Sequence, residues 1–198
     1  MGRRSDHTRD ELYDLILAAG QAIMAEQGYQ RFSARAVAKR IGYSIGTVHN
    51  VFGSNDGLVL AINTATFALW TQHLRGALVA AGEDRIRALV EGYFAFAQAN
   101  PNRWMAIYDH RLPTGMTMPG ADAAIRGELT GIVVAEIAAV LGREADESTT
   151  ALARSLIATV HGHCALTLTG SFALMGEDHP REAALARVRD ALSTIGQD

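Results

Sequence analysis

From Ser44 to Asn50 the chain sets out Ile45, Gly46, Thr47, His49 and Asn50, small or hydrogen-bonding groups at spacings that leave them on one side of a short helix. Groups of this kind can enter a major groove and meet base edges and phosphates. Arg35, Lys39 and Arg40 come just before them, where they can reach phosphates, and no acid interrupts the stretch from Arg31 until Asp56. The chemistry implied is recognition of a polyanion with a patterned edge.

Two helices are needed to position these groups, and their signals are local. Ser33 can N-cap a helix whose apolar residues Ala34, Val37, Ala38 and Ile41 recur every three to four positions. Gly42 can take the left-handed conformation that ends it, and Ser44 can cap the next helix. Val48, Val51 and Phe52 supply that second helix with one buried stripe before Gly53 and Ser54 break it. A hinged pair of short helices also occurs in all-helical proteins that never touch DNA, and a basic face is often only a solvated one.

The run from Gly42 to Leu58 resembles the core signature of the TetR (tetracycline-repressor-like) transcriptional regulators. Its flanks agree: an amphipathic helix from about Thr8 to Gln27, then Gly28-Tyr29 and a Phe32-Ser33 entry to the next helix. The resemblance covers roughly residues 8 to 62. It implies an all-α fold of about nine helices, with an N-terminal three-helix helix-turn-helix DNA-binding domain (residues 1–55, including an N-terminal arm) and a larger all-helical domain (56–198) for regulation, ligand binding and dimerisation. The DNA-binding residues expected are Arg35, Lys39, Ser44, Ile45, Gly46, Thr47, His49, Asn50 and Asn55. His49 stands where the family usually has a phosphate-contacting tyrosine, and Asn55 where a lysine is common, so Asn55 brings no charge to the salt dependence.

Charge is divided unevenly. Residues 1–60 hold seven Lys and Arg against six Asp and Glu, and residues 61–198 hold eleven against fifteen. The chain as a whole is therefore no general polyanion binder, and affinity for DNA must come from a local patch within 31–55, joined by an arm bearing Arg3, Arg4 and Arg9. With 198 residues, 48% hydrophobic, the chain can bury a sizeable core. One cysteine excludes an intrachain disulfide, and no charged-then-apolar leader opens the chain, so a cytoplasmic protein is expected. The Met1-Gly2 start lacks the Ser or Thr that acylation wants, since Asp6 stands there.

Beyond residue 55, helices are expected at 56–81, 84–99, 102–111, 121–141, 147–175 and 180–195, with breaks at Gly82, Asn100-Pro101, Pro113 to Pro119, Gly142 and Gly176 to Pro180. The 22 residues from Ser155 to Gly176 carry no charge, a length that can cross a bilayer. His161, His163 and three threonines make the stretch too polar for that, and a buried central helix with no membrane partner is the better reading. His161-Gly162 resembles part of a C-terminal TetR subtype named for Trp-His-Gly, with Val160 in place of the tryptophan. That likeness implies a homodimer through helices 147–175 and 180–195, where Gly162, Ala165, Gly170 and Ala173 would let backbones approach.

Aromatic and sulfur side chains cluster mid-chain. The expected small-molecule pocket uses Phe67, Trp70, Phe94, Trp104, Tyr108, His110 and His161, with the Pro113–Pro119 loop and its Met116 and Met118 as an entrance. Each of these is equally at home in a core. A metal finds little: His161 and His163 point about 200° apart on a helix, leaving only a set drawn from Asp109, His110 and His161. Cys164 lies three residues from His161, but no oxyanion element or third orienting residue accompanies them. No catalytic residue, cofactor or enzyme activity is expected. The function expected is a sequence-specific DNA-binding transcriptional regulator, a repressor released from a palindromic operator by a small-molecule effector. The alternative is an all-helical small-molecule-binding or interaction protein with vestigial DNA binding.

Overall fold

The computed structural model describes residues 7–196. Among them are ten α-helices and no strand: α1 (Arg9–Gln27), α2 (Ala34–Ile41), α3 (Ile45–Phe52), α4 (Asn55–Ala80), α5 (Arg85–Ala99), α6 (Pro101–Asp109), α7 (Gly120–Val140), α8 (Glu147–Leu168), α9 (Ser171–Met175) and α10 (Pro180–Ile195). A 3-10 turn, Tyr29–Arg31, follows α1. The all-helical expectation holds, and the helix ends fall within a few residues of those read from the caps. The single helix expected over 147–175 is corrected. It breaks at Thr169-Gly170, because Gly170 takes φ 74° and turns the chain before α9 begins.

By compactness the described chain forms two units. One comprises residues up to Thr66 together with Asn100–Asp122, and the other comprises Phe67–Ala99 with residues from Ala123 on. Residues 56–66 and 100–122 thus group with the N-terminal segment.

The first unit is closed by Ile16, Ile23 and Met24 of α1, Val37 of α2, Val48 of α3, Leu58 and Ile62 of α4, and Ala106 of α6, all fully buried. A complete capping box starts α1: Thr8 Oγ1 accepts the Glu11 N–H, and the Glu11 carboxylate accepts the Thr8 N–H. Polar groups inside the unit tie α6 to its neighbours. Asn63 Nδ2 donates to the Ala106 carbonyl at 3.1 Å, and Asn102 Nδ2 donates to the Ala25 carbonyl at 2.7 Å.

The second unit packs α5, α8 and α10 on one another. Trp70 is its largest buried side chain, stacked on Phe96 with centroids 5.2 Å apart and met edge-on by Tyr93 at 4.7 Å. Leu89, Leu156, Leu185 and Val188 are also buried in this unit. Asp146 caps α8 by accepting the Thr149 N–H and the hydroxyls of Thr149 and Ser148, which holds its carboxyl far below the usual carboxylate range. Arg85 grips Glu136 through two hydrogen bonds of 2.6 Å. Among the described residues no helix is long and apolar enough to cross a membrane.

Candidate functional site

The helix-turn-helix forms as its local chemistry dictates. Ser33 Oγ accepts the Ala36 N–H at 3.2 Å, and Gly42 ends α2 at φ 73°, ψ 25°. The Tyr43 N–H then reaches back to the Ala38 carbonyl at 2.9 Å. Ser44 Oγ accepts the Thr47 N–H at 3.1 Å and lies 3.0 Å from the Thr47 hydroxyl, so the entry of α3 is fixed by side-chain capping.

Only Val48 of α3 is fully buried, while Val51 and Phe52 are half-buried and Tyr13 stacks on Phe52 at 4.6 Å. One anchored stripe leaves the rest of the helix outward. Ser44, Ile45, Gly46, His49 and Asn50 are exposed and Thr47 is half-buried. Ile45, 38% exposed, offers a branched apolar surface of the kind that meets a thymine methyl. Arg35 and Lys39 are exposed and make no ion pair among the described residues.

Two side chains are committed elsewhere. Arg40 forms a bidentate pair with Glu26 of α1, at 2.9 and 2.6 Å, so its charge is already matched. Asn55 is exposed, but its Oδ1 accepts the Ala34 N–H at 3.0 Å, satisfying a free donor in the first turn of α2. It clamps the start of α4 to the start of α2. Nothing in the sequence announces a bond between residues 21 apart.

Gly57 is the other unforeseen support. A Cβ there would come within 2.1 Å of the Phe52 carbonyl oxygen, so α4 can start this close to the end of α3 only without a side chain. Ser54 Oγ accepts the Gly57 N–H at 3.0 Å and completes the joint. Of the arm, Arg3 and Arg4 lie outside the described residues. Arg9 is exposed in the first turn of α1, and the His7 ring nitrogen lies 2.7 Å from the Tyr43 hydroxyl.

The seven residues read as a pocket fall into two groups. Trp104, Tyr108 and His110 belong to the first unit. Trp104 is fully buried with Tyr108 tilted against it at 5.0 Å, and Tyr108 is 42% exposed. His110 keeps only 3% of its side chain exposed, donates from Nε2 to Asp56 Oδ1 at 3.1 Å and sits against the Tyr29 ring. Phe67, Trp70, Phe94 and His161 belong to the second unit. Arg126 lies over the Phe67 ring, Trp70 and Phe94 are core, and His161 Nδ1 is hydrogen-bonded to the Tyr93 hydroxyl at 3.1 Å.

The apolar recess of the second unit is lined by none of these seven, although Tyr93 is one of its walls. Its other walls are aliphatic, from α4, α5, α7, α8 and α10. Burial disfavours the charged form of His161 and lowers its pKa. Burial also pushes the Cys164 thiol up to about 12, the reverse of what a thiolate nucleophile requires. Among the described residues no three His, Cys, Asp or Glu side chains converge on a possible metal position.

Two family models match. Residues 16–62 match bacterial regulatory proteins, tetR family, and residues 86–192 match the tetracyclin repressor-like C-terminal domain. No curated protein matches. Among solved structures, a protein of unknown function from Rhodococcus sp. RHA1 superposes with TM-score 0.71 at 20% identity, over 96% of this chain and 97% of that one. A TetR-family transcriptional regulator from Streptomyces coelicolor gives 0.65 at 19%, covering 93% and 99%. The multidrug binding protein EbrR, complexed with imidazole, gives 0.63 at 19%, covering 96% of each chain. At such identities these likenesses establish the fold.

Proposed function

Since this chain belongs to the tetR family of bacterial regulatory proteins and is a DNA-binding transcriptional regulator, we propose that it is a homodimeric repressor released from a palindromic operator by a small-molecule effector. The observation that carries this reading is the state of α3: capped by Ser44, anchored through Val48, and outward at Ile45, Gly46, His49 and Asn50.

In this reading each α3 enters a major groove and Thr47, His49 and Asn50 address base edges and phosphates. Arg35 and Lys39 hold the flanking phosphates. Two-fold protein symmetry requires half-sites about 34–36 Å apart along the duplex. Asn55 positions α2 through its Oδ1 acceptor and brings no charge to the phosphate contacts. Dimerisation uses the helices over 147–175 and 180–195. Leu166, Leu174 and Met175 lie there with exposed apolar surface, 91% of Leu174 and 70% of Met175, which favours a covering partner. An effector releases DNA to the extent that it binds the DNA-incompetent state more tightly.

Footprinting on the DNA flanking the protein's own gene tests the reading. A protected, salt-sensitive palindrome in the ligand-free state is expected. Thr47→Ala with Asn50→Ala should abolish that footprint while sedimentation still shows a dimer. Retained specific binding in the double variant would refute this placement of the reading face.

A further inference from the structure

The second unit contains a recess whose chemistry narrows the class of effector, an inference that rests on the effector-released reading above. Leu74 on α4, Leu89 and Tyr93 on α5, Val133 on α7, Ile157 on α8 and Val188 on α10 are among its twelve lining residues, eleven of them aliphatic. No wall residue carries a charge. The unit's ion pairs, among them Arg75–Glu128, Arg85–Glu136 and Arg189–Asp84, involve no residue of the lining. The one polar wall group, the Tyr93 hydroxyl, is hydrogen-bonded to His161 Nδ1.

A carboxylate or ammonium entering this space would give up water and meet no counter-charge, a cost larger than the burial of a short chain returns. Each methylene of an uncharged chain, by contrast, gains from leaving water. We propose that the recess binds an effector with an uncharged hydrocarbon body and rejects the same body when it ends in a carboxylate or an ammonium.

Size adds a mechanical consequence. The cavity itself is about 40 Å³, and it opens towards solvent. An apolar cavity of ~150 Å³ holds a benzene ring, so a space of about 40 Å³ holds none. A longer occupant must part the walls. α4 and α5 approach closely at one wall, where a Cβ at Gly92 would come within 2.9 Å of Leu74 Cδ2.

The test uses the full-length protein at neutral pH with three eight-carbon probes: 1-octanol, octanoate and octylammonium. Isothermal titration should show 1-octanol binding at least tenfold more tightly than either ion, and 1-octanol should raise the unfolding temperature. Val133→Phe and Ile157→Phe, both at half-buried walls, should each weaken octanol binding at least tenfold, and a thermal melt identifies whichever of the two folds. Equal binding of octanoate or octylammonium, no binding of octanol, or octanol affinity unchanged in a folded filled variant would overturn the proposal. DNA release is read separately, by anisotropy on the footprinted fragment. Octanol held in the recess with DNA still bound leaves the ligand class standing and overturns effector release. Release by octanoate with no octanol binding overturns the ligand class and leaves effector release standing.

Discussion

The helix-turn-helix and the second unit are both built of helices with apolar stripes, yet they encode their purpose in different ways. Around α3 the informative groups are polar and directional: Ser33, Ser44 and Asn55 each satisfy a named backbone donor, and the outward face is left to hydrogen-bonding side chains. Around the recess the informative groups are Leu, Ile and Val, which make no directional bonds and act only through shape and the absence of charge. The first region is held by directional bonds, whereas packing alone sets the shape of the second. A reader of DNA needs fixed geometry, and a sensor needs a core that can open.

That contrast can be broken by substitutions on either side. The largest effect is expected from Trp70→Ala in the second unit, which removes a buried ring stacked on Phe96 and should lower stability by about 3–5 kcal/mol in urea unfolding. A small effect there would mean that this core repacks freely. Next comes Gly57→Ala, where the added Cβ meets the Phe52 carbonyl oxygen. A loss of about 1–3 kcal/mol is expected, with operator affinity falling further than stability because α3 is displaced. Unchanged DNA binding would show the joint to be compliant.

A finer division separates a clamp from a phosphate grip. Asn55→Ala should cost about 1 kcal/mol by orphaning the Ala34 N–H and leave the salt slope of DNA binding unchanged. Lys39→Ala should leave stability unchanged and flatten that slope by about 0.9 per contact, or about 1.8 per dimer. If Asn55→Ala flattened the slope as well, the clamp assignment would fail.

The smallest effect belongs to His161. Its pKa is lowered by burial below the ordinary value of 6.5, so across that interval the unfolded chain binds more protons than the folded one. Its contribution is therefore fully present above about pH 6.5 and is lost as pH falls through the lowered value. Melting temperatures over this range should drop with pH in the wild type and drop less in His161→Asn.

The order in which features became legible follows their range along the chain. The Ser33 and Ser44 caps, the Gly42 stop and the outward set Ile45, Gly46, Thr47, His49 and Asn50 each depend on neighbours within three or four residues, so residue types alone place them. The break at Gly170 also depends on a local glycine, but 22 uncharged residues concealed it. Aromatic character does not separate a pocket wall from a core, since rings are good core material: Trp70, Phe94 and Trp104 are each almost wholly buried. Tyr93 carries the one polar atom in the walls of the recess, and only its bond to His161, 68 residues away, marks it.

By itself, then, the sequence determined the helices, the outward face of α3 and the family, because capping, turn conformation and helical period are short-range consequences of residue type. Tertiary structure alone decided that Arg40 is spent on Glu26, that Asn55 holds Ala34, that Gly57 must remain bare beside Phe52, and that aliphatic residues from five helices enclose a chargeless recess. Those outcomes depend on which surfaces meet. Apolar side chains carry no directional signal of their partners, and a charged side chain does not announce which opposite charge the fold will bring to it.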